Sequence, residues 1–420
     1  MIVRGGTIVT PRGVEKADIA IAADVITAIG LNLDEDGEEV DATGLHIFPG
    51  GIDSHVHFNE PGRTEWEDMA HGSAALAAGG YTTFIDMPLN NLPVTTTAEA
   101  FDLKLDAARQ SSRVDFGFWG GVVPGNLDQL ESLVERGVMG FKAFMCPSGI
   151  DEFPACDERT LREAMKRIAD LDSILLVHAE DPAMLMEPKG PTARDFLESR
   201  PWQAELSAIH DAIGWAQEAR CRLHIVHVST LASAAFIHAH RESGADVTGE
   251  TCPHYLLYGA DDLERLGGLG KCAPPFRDKA ALLPTLYGGL QMVVSDHSPS
   301  TLDLKQGDDF RKIWGGISGC QSTRQLLLSD RRLELPLVAA LTATNVAKRF
   351  GLERKGDIAP GFDADLWIVD LKPDGVVRRE DLLYRNPFSV HEGQKIRGRT
   401  VKTLVRGREP GQGQFIRPEK

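Results

Sequence analysis

Apolar and polar positions divide the chain into stretches of different rhythm. The first fifty residues alternate apolar and polar side chains between turn residues. Ile2-Val3, Thr7-Ile8-Val9, Asp18-Ile19-Ala20-Ile21 and Val25-Ile26 predict short antiparallel strands. The C-terminal end has the same character in Ala364-Asp365-Leu366-Trp367-Ile368-Val369 and in Thr400-Val401-Lys402-Thr403-Leu404-Val405-Arg406-Gly407. Between the ends, β-branched apolar runs alternate with longer segments of helical period. Eight such runs occur: Leu45 to Phe58, Tyr81 to Met87, Val114 to Trp119, Val138 to Met145, Ser173 to His178, Leu223 to Val228, Asp246 to Thr251 and Gln291 to Asp296. Gln203 to Arg220 places Leu206, Ile209, Ile213 and Ala216 on one helical face, and Leu161 to Leu171 and Leu231 to His240 have similar spacing.

Strands that are apolar on both faces and separated by helices predict a parallel sheet. Eight in series predict an α/β fold closed as a (β/α)8 TIM barrel, with residues 51–349 forming the catalytic barrel. The two β-rich ends, 1–50 and 350–420, are expected to pair into one small composite β-sandwich beside it. Two independent appendages are the alternative.

Composition narrows the functional classes. The apolar share of 42% suits a soluble globular protein with a large core. A formal net charge of −16 argues against nucleic acid, which needs clustered Lys and Arg. No run reaches the ~20 apolar residues of a membrane helix, so no membrane partner is expected. The N-terminus lacks the basic-then-apolar order of a secretory signal, which makes a cytoplasmic enzyme the expectation. The six cysteines are scattered without a C-x-x-C, as reduced thiols would be.

In such a barrel the chemistry sits where strands end. The first run ends Asp53-Ser54-His55-Val56-His57, and residues i and i+2 of a strand share a face, so His55 and His57 can both aim into the mouth. The fifth ends Val177-His178-Ala179-Glu180, the sixth carries His227, and the eighth ends Ser295-Asp296-His297. Neutral imidazole with carboxylate suits a first-row divalent metal. Singly, His178 or His227 reads as a hydrogen-bonded core histidine; His210, His238 and His240 belong to helices or the surface. The conjunction of four His and one Asp at four strand ends is what points to a metal.

Lys142 is an anomaly in the fourth run, between Phe141 and Ala143, because an isolated buried ammonium costs several kcal/mol. Its head could snorkel to the barrel rim, or be a deprotonated amine. A third reading is a carbamate formed by addition of carbon dioxide, an anion able to bridge two metals. Charge favours the carbamate, since an ammonium beside two dications would be strongly repelled.

At these residues the sequence resembles the amidohydrolase superfamily. Pro49-Gly50-Gly51-Ile52-Asp53-Ser54-His55-Val56-His57 is similar to its opening motif, and Ile358-Ala359-Pro360-Gly361-Phe362-Asp363-Ala364-Asp365-Leu366 to its return into the β-domain. The resemblance implies two metal ions. One would be held by His55, His57, an N6-carboxylated Lys142 and Asp296; the other by the carboxylated Lys142, His178 and His227. Zinc is the first expectation, with cobalt, manganese or iron as alternatives that the same donors accept. Relatives imply a homotetramer.

Among the cyclic amidohydrolases, dihydroorotases carry an Arg where this chain has Asn59. Hydantoinases and dihydropyrimidinases carry a Tyr where it has Pro147, which offers neither a hydroxyl nor an N–H. The allantoinase branch matches in Asn59-Glu60-Pro61-Gly62-Arg63-Thr64-Glu65-Trp66-Glu67, Met87-Pro88-Leu89-Asn90, Thr251-Cys252-Pro253-His254-Tyr255, Lys271-Cys272-Ala273-Pro274-Pro275, Ser295-Asp296-His297-Ser298-Pro299 and Trp314-Gly315-Gly316-Ile317. The resemblance therefore implies a small cyclic ureide as substrate, with allantoin opened to allantoate in purine catabolism. A hydantoinase or dihydropyrimidinase is the alternative. A non-catalytic scaffold is a third reading that would predict missing ligands, and all six positions are filled.

Asp296 is the expected catalytic proton carrier, or else a ligand alone. Asn90 is a candidate substrate contact or a turn residue, and the backbone at Ala273 and Gly315 is expected to read the ring's edges. Cys252 and Cys272 read as small packing residues, and His297 as an orienting or structural group.

Overall fold

The computed structural model describes residues 1–33, 37–279 and 281–419. Strands β1 (Ile2–Thr10), β2 (Gly13–Ala22), β3 (Val25–Gly30), β4 (Glu39–Asp41) and β5 (His46–Pro49) come from the N-terminal stretch. They join two strands from the far end of the chain, Leu366–Val376 and Lys395–Leu404, in one seven-stranded sheet. The ends meet at β5, which pairs antiparallel with the first of these, Leu366 opposite Pro49 and Val369 opposite His46. On its other side β5 runs parallel to β1. Val3, Ile8, Ile19, Ile47, Leu366, Ile368 and Leu404 form a core of their own there. The two ends therefore share one sandwich and are not separate appendages, because β5 has an edge on each side to be satisfied.

The barrel strands follow: β6 (Gly51–Val56), β7 (Tyr81–Asp86), β8 (Asp115–Phe118), β9 (Gly120–Gly121), β10 (Phe141–Phe144), β11 (Ile174–His178), β12 (Arg222–Ile225), β13 (Val247–Thr251) and β14 (Met292–Val293), with β15 (Leu366–Val376) and β16 (Lys395–Leu404) returning to the sandwich. Every pairing from β6 to β14 is parallel. β8 and β9 are halves of one strand interrupted at Trp119, whose N–H still reaches the Asp86 carbonyl at 3.0 Å. Met139 N–H donates to the Phe118 carbonyl at 2.8 Å, which links that strand to the segment entering β10. The ring closes where Val56 bridges His297 in parallel and His57 N–H donates to the His297 carbonyl at 2.8 Å. Eight strand positions thus make the (β/α)8 barrel.

Two of the sequence runs divide differently from expectation. The first holds two strands in two sheets, β5 and β6, separated at Gly50, where a Cβ would lie 2.2 Å from Thr82 Oγ1. The eighth shrinks to Met292–Val293, because Ser295 N–H turns to the Asp53 carboxylate at 3.2 Å instead of a strand carbonyl. The helices match their periodicity within a few residues: Glu158–Asp170, Trp202–Ala219 and Leu231–Glu242. Asp157 and Thr230 cap the first and third by accepting from Thr160 and Ser233 N–H.

Sandwich and barrel are tied by a buried ammonium. Lys355 Nζ donates to Asp115 on β8 at 2.8 Å and to Asp365, just before β15, at 2.8 Å, and lies 3.1 Å from Asp363. Burial lowers the Lys355 pKa, but the three carboxylates outweigh it and hold it above the ordinary lysine value. This acidic cluster is therefore satisfied by a side chain and not by a metal. Lys355→Met should leave the buried Asp365 without a cation, and Asp115 and Asp363 with only Arg406 and Arg354, and lower unfolding free energy by about 3–5 kcal/mol, measured by urea denaturation. A loss under about 1 kcal/mol would show that the cluster is hydrated and does not tie the two parts together.

Candidate active site

A cleft of about 390 Å³ opens at the C-terminal ends of the barrel strands, and it is lined by all six residues expected to hold metal and by Asn90, Ala273 and Gly315. β6 ends at Val56, so His55 projects from its last turn of pleat and His57 follows on the same side. Lys142 lies within β10 and His178 closes β11. His227 and Asp296 follow β12 and β14 with φ of +38° and +45°, and Asn90 has φ of +77°. Left-handed backbone at non-glycine residues is strained and needs its surroundings to hold it. Here it turns each side chain into the cleft.

Hydrogen bonds outside the cleft decide which nitrogens carry protons. The buried Glu250 carboxylate on β13 accepts from His55 Nδ1 at 2.5 Å and from His224 Nε2 at 3.0 Å. Burial pushes the Glu250 pKa up, but His55 and His224 outweigh it, leaving it at about 2. With its proton on Nδ1, His55 presents a lone pair at Nε2, which faces Asp296 Oδ1 at 3.2 Å. His57 directs Nδ1 to the Leu89 carbonyl at 3.3 Å and leaves Nε2 facing the same oxygen at 3.5 Å. Burial lowers the His57 pKa to about 4, so the ring is neutral. Two imidazole nitrogens and a carboxylate oxygen therefore converge on one point, a donor set that a cation stabilises.

The second group repeats the logic. His178 Nε2 points at Glu180 Oε2, 2.9 Å away, and Glu180 is held by Arg200, whose Nε donates to Oε1 at 3.2 Å. The His178 Nδ1 lone pair then faces His227 Nε2 at 2.9 Å, while His227 Nδ1 has no partner among the described residues. Burial lowers the pKa of both rings. Lys142 Nζ is fully buried, lacks a hydrogen-bond partner among the described residues and sits 4.4 Å over the Phe144 ring. Burial pulls its pKa down to about 8. The donor set, the fixed tautomers and the orphaned amine all fit divalent metal.

Sequence reading missed the carboxylates behind the ligands. Glu250 lies in the seventh run and Glu180 at the end of the fifth, and an acid inside a buried strand is the same kind of anomaly as Lys142. Arg200 carried no strand-end signal. Cys252 and His254 also come within ligand distance of Asp296, with both His254 ring nitrogens unpartnered among the described residues. Cys272 lines the cleft, and all six cysteines are buried and free. His297 faces away from it: Nδ1 accepts from Gly319 N–H at 3.1 Å, and Nε2 lies 3.4 Å from the buried Glu67.

Asn90 Nδ2 donates to Ser298 Oγ at 3.3 Å and its carbonyl accepts from Arg63 at 3.1 Å, so a turn and a cleft position coincide in one residue. Pro147 lines the cleft. Asn59 is buried, with its amide on the His57 carbonyl at 3.4 Å.

No helix among the described residues is long and apolar enough to cross a membrane. An allantoinase of Rubrobacter xylanophilus is 49% identical, over 100% of this chain and 98% of its own. An allantoinase of Solibacter usitatus is 47% identical over 97% and 92%. The structure of an L-hydantoinase (dihydropyrimidinase) from Arthrobacter aurescens superposes with a TM-score of 0.94 at 32% identity, covering 99% of each chain. Residues 46–408, which run from β5 through the whole barrel and back into the sandwich, match the Amidohydrolase family, and with that span and these full-length relatives the chain belongs to the amidohydrolase family of enzymes.

Proposed function

We propose that this enzyme hydrolyses allantoin, opening a ring amide of its hydantoin to give allantoate in purine catabolism. The observation that carries the reading is that one cleft is lined both by the metal-suited side chains and by Asn90, Ala273 and Gly315. Full-length likeness to allantoinases supports the choice of ring. Asn59 supplies no cation for a carboxylate substrate, and Pro147 supplies no hydroxyl to the cleft.

Two divalent ions suit the donors. His55, His57, Asp296 and a carboxylated Lys142 would hold one; the carboxylated Lys142, His178 and His227 would hold the other. Zinc is the first choice. When bound, such ions supply Lewis acidity and make water acidic enough to attack near neutral pH. The lowered Lys142 pKa of about 8 supports the modification, since it leaves neutral amine available. That neutral nitrogen bonds to the carbon of carbon dioxide and releases one proton, leaving a carbamate anion where an ammonium would otherwise stand.

Asp296 moves the proton of hydrolysis. Its Oδ1 faces His55 and His57, so Oδ2 remains to accept from the attacking water and to donate to the departing ring nitrogen. Burial pushes the Asp296 pKa up, but His55, His57 and His227 outweigh it and hold the group ionised. Asn90 and the Gly315 peptide orient the ring and its urea.

Three measurements test this reading. Lys142→Ala should abolish turnover and lower bound metal, with partial rescue by a short added carboxylate; an active, fully metallated variant would exclude the bridging role. Glu250→Gln removes the acceptor that keeps the His55 proton on Nδ1. It should weaken metal retention about 10- to 100-fold in competition with a chelator, and unchanged retention would argue against that control. The likeness to the hydantoinase structure favours a second reading, so turnover of allantoin, hydantoin and dihydrouracil should be compared. A kcat/KM highest on allantoin is expected, and a preference for dihydrouracil would overturn the assignment.

A further inference from the structure

Residues 311–316 line the same cleft as the metal-suited side chains, and two buried lysines converge on the carbonyls of the segment 310–316. Lys271 Nζ donates to Phe310 O and Ile313 O, both at 2.6 Å, and to Arg311 O at 3.4 Å. Lys305 Nζ donates to Trp314 O at 2.9 Å and Gly316 O at 2.6 Å. Their exposures are only 8% and 5%, and neither forms an ion pair among the described residues. Burial without a carboxylate makes these amines costly to charge, and here backbone carbonyls are their compensation. The same segment is held from its N–H side: Trp314 N–H donates to Leu304 O at 2.8 Å and Gly316 N–H to Lys271 O at 2.8 Å.

Gly315 itself stays outside these bonds. Gly315 N–H and C=O have no protein partner among the described residues, and a Cβ at Gly315 would meet nothing within 4 Å. An unpaired donor and an unpaired acceptor on one residue that lines the cleft suit the N–H and C=O groups of a cyclic amide. Gly316 has φ of +156° and its Cβ position lies 2.5 Å from the Ser298 carbonyl, so the segment packs tightly and cannot relax on that side.

We propose that Lys271 and Lys305 are positioning residues for ring recognition, which clamp the carbonyls around Gly315 so that its free N–H and C=O are held in place for the substrate. The substrate class rests on the proposed allantoin reading; the clamp itself does not. Among the described residues, Lys271 and Lys305 donate only to backbone carbonyls and form no ion pair with the metal-suited side chains, so their effect falls on binding more than on turnover.

Lys271→Met and Lys305→Met keep the length of the side chain and remove the donors. In the holoenzyme each should raise KM for allantoin about tenfold, the equivalent of one or two lost neutral hydrogen bonds, with a smaller change in kcat and unchanged metal content. A purely structural role would lower Tm and leave KM in place, and that result overturns the proposal. Hydrogen exchange without substrate should be faster for 310–316 in both variants, and exchange equal to wild type also overturns it. If wild-type enzyme fails to turn over allantoin, the functional reading falls while the exchange result still decides the clamp. If neither variant folds, saturating allantoin on the wild-type enzyme should slow exchange of the peptide containing Gly315, and no slowing overturns the proposal.

Discussion

The organising constraint of this molecule is the convergence of electron pairs at the barrel mouth. His55 Nε2 and His57 Nε2 both face Asp296 Oδ1, and His178 Nδ1 faces His227 Nε2, because protons on the far sides of the first three rings are taken up by Glu250, Leu89 O and Glu180. Imidazole nitrogens and a carboxylate placed this way are arranged to share positive charge entering between them. The outer carboxylates thus determine the chemistry of the inner side chains without entering the cleft. Lys142 completes the set as a buried amine without a partner, a state that burial favours keeping uncharged.

The fold concentrates these demands on rigid elements. His55, Lys142 and His178 sit on strands whose parallel neighbours leave little freedom, whereas His227 and Asp296 reach the cleft through strained left-handed turns. Strain at those two positions is sustained because the barrel closes directly beside Asp296, through the His57 to His297 backbone bond. The segment 310–316 is a loop, and its order comes from side chains that precede it in the chain. Lys271 and Lys305 gather carbonyls that strands would otherwise pair, so one part of the cleft lining is fixed by sheet and another by buried lysines.

Between barrel and sandwich the same device recurs with opposite sign. Lys355 collects three carboxylates contributed by β8 and by the segment that enters β15, and Arg406 joins Asp115 as well. Residues far apart in sequence thereby share one buried charge cluster. The sandwich in turn holds β5 beside the first barrel strand, with only Gly50 between them, so the His55-Val56-His57 segment is anchored from behind.

The sequence by itself determined the barrel, the partnership of the two chain ends and the six side chains suited to metal. Those features are carried by local rules: alternation along strands, helical period, and polar residues where apolar runs stop. His55 and His57 were legible because i and i+2 share a face, and Lys142 because charge is out of place in an apolar run. The division of the first run at Gly50, the roles of Glu250, Glu180 and Arg200, and the lysines behind Gly315 were decided only by the tertiary structure. Each depends on contacts between segments distant in the chain, such as Glu250 with His55 or Lys305 with Gly316 O, and no periodicity encodes which remote group a buried charge will meet.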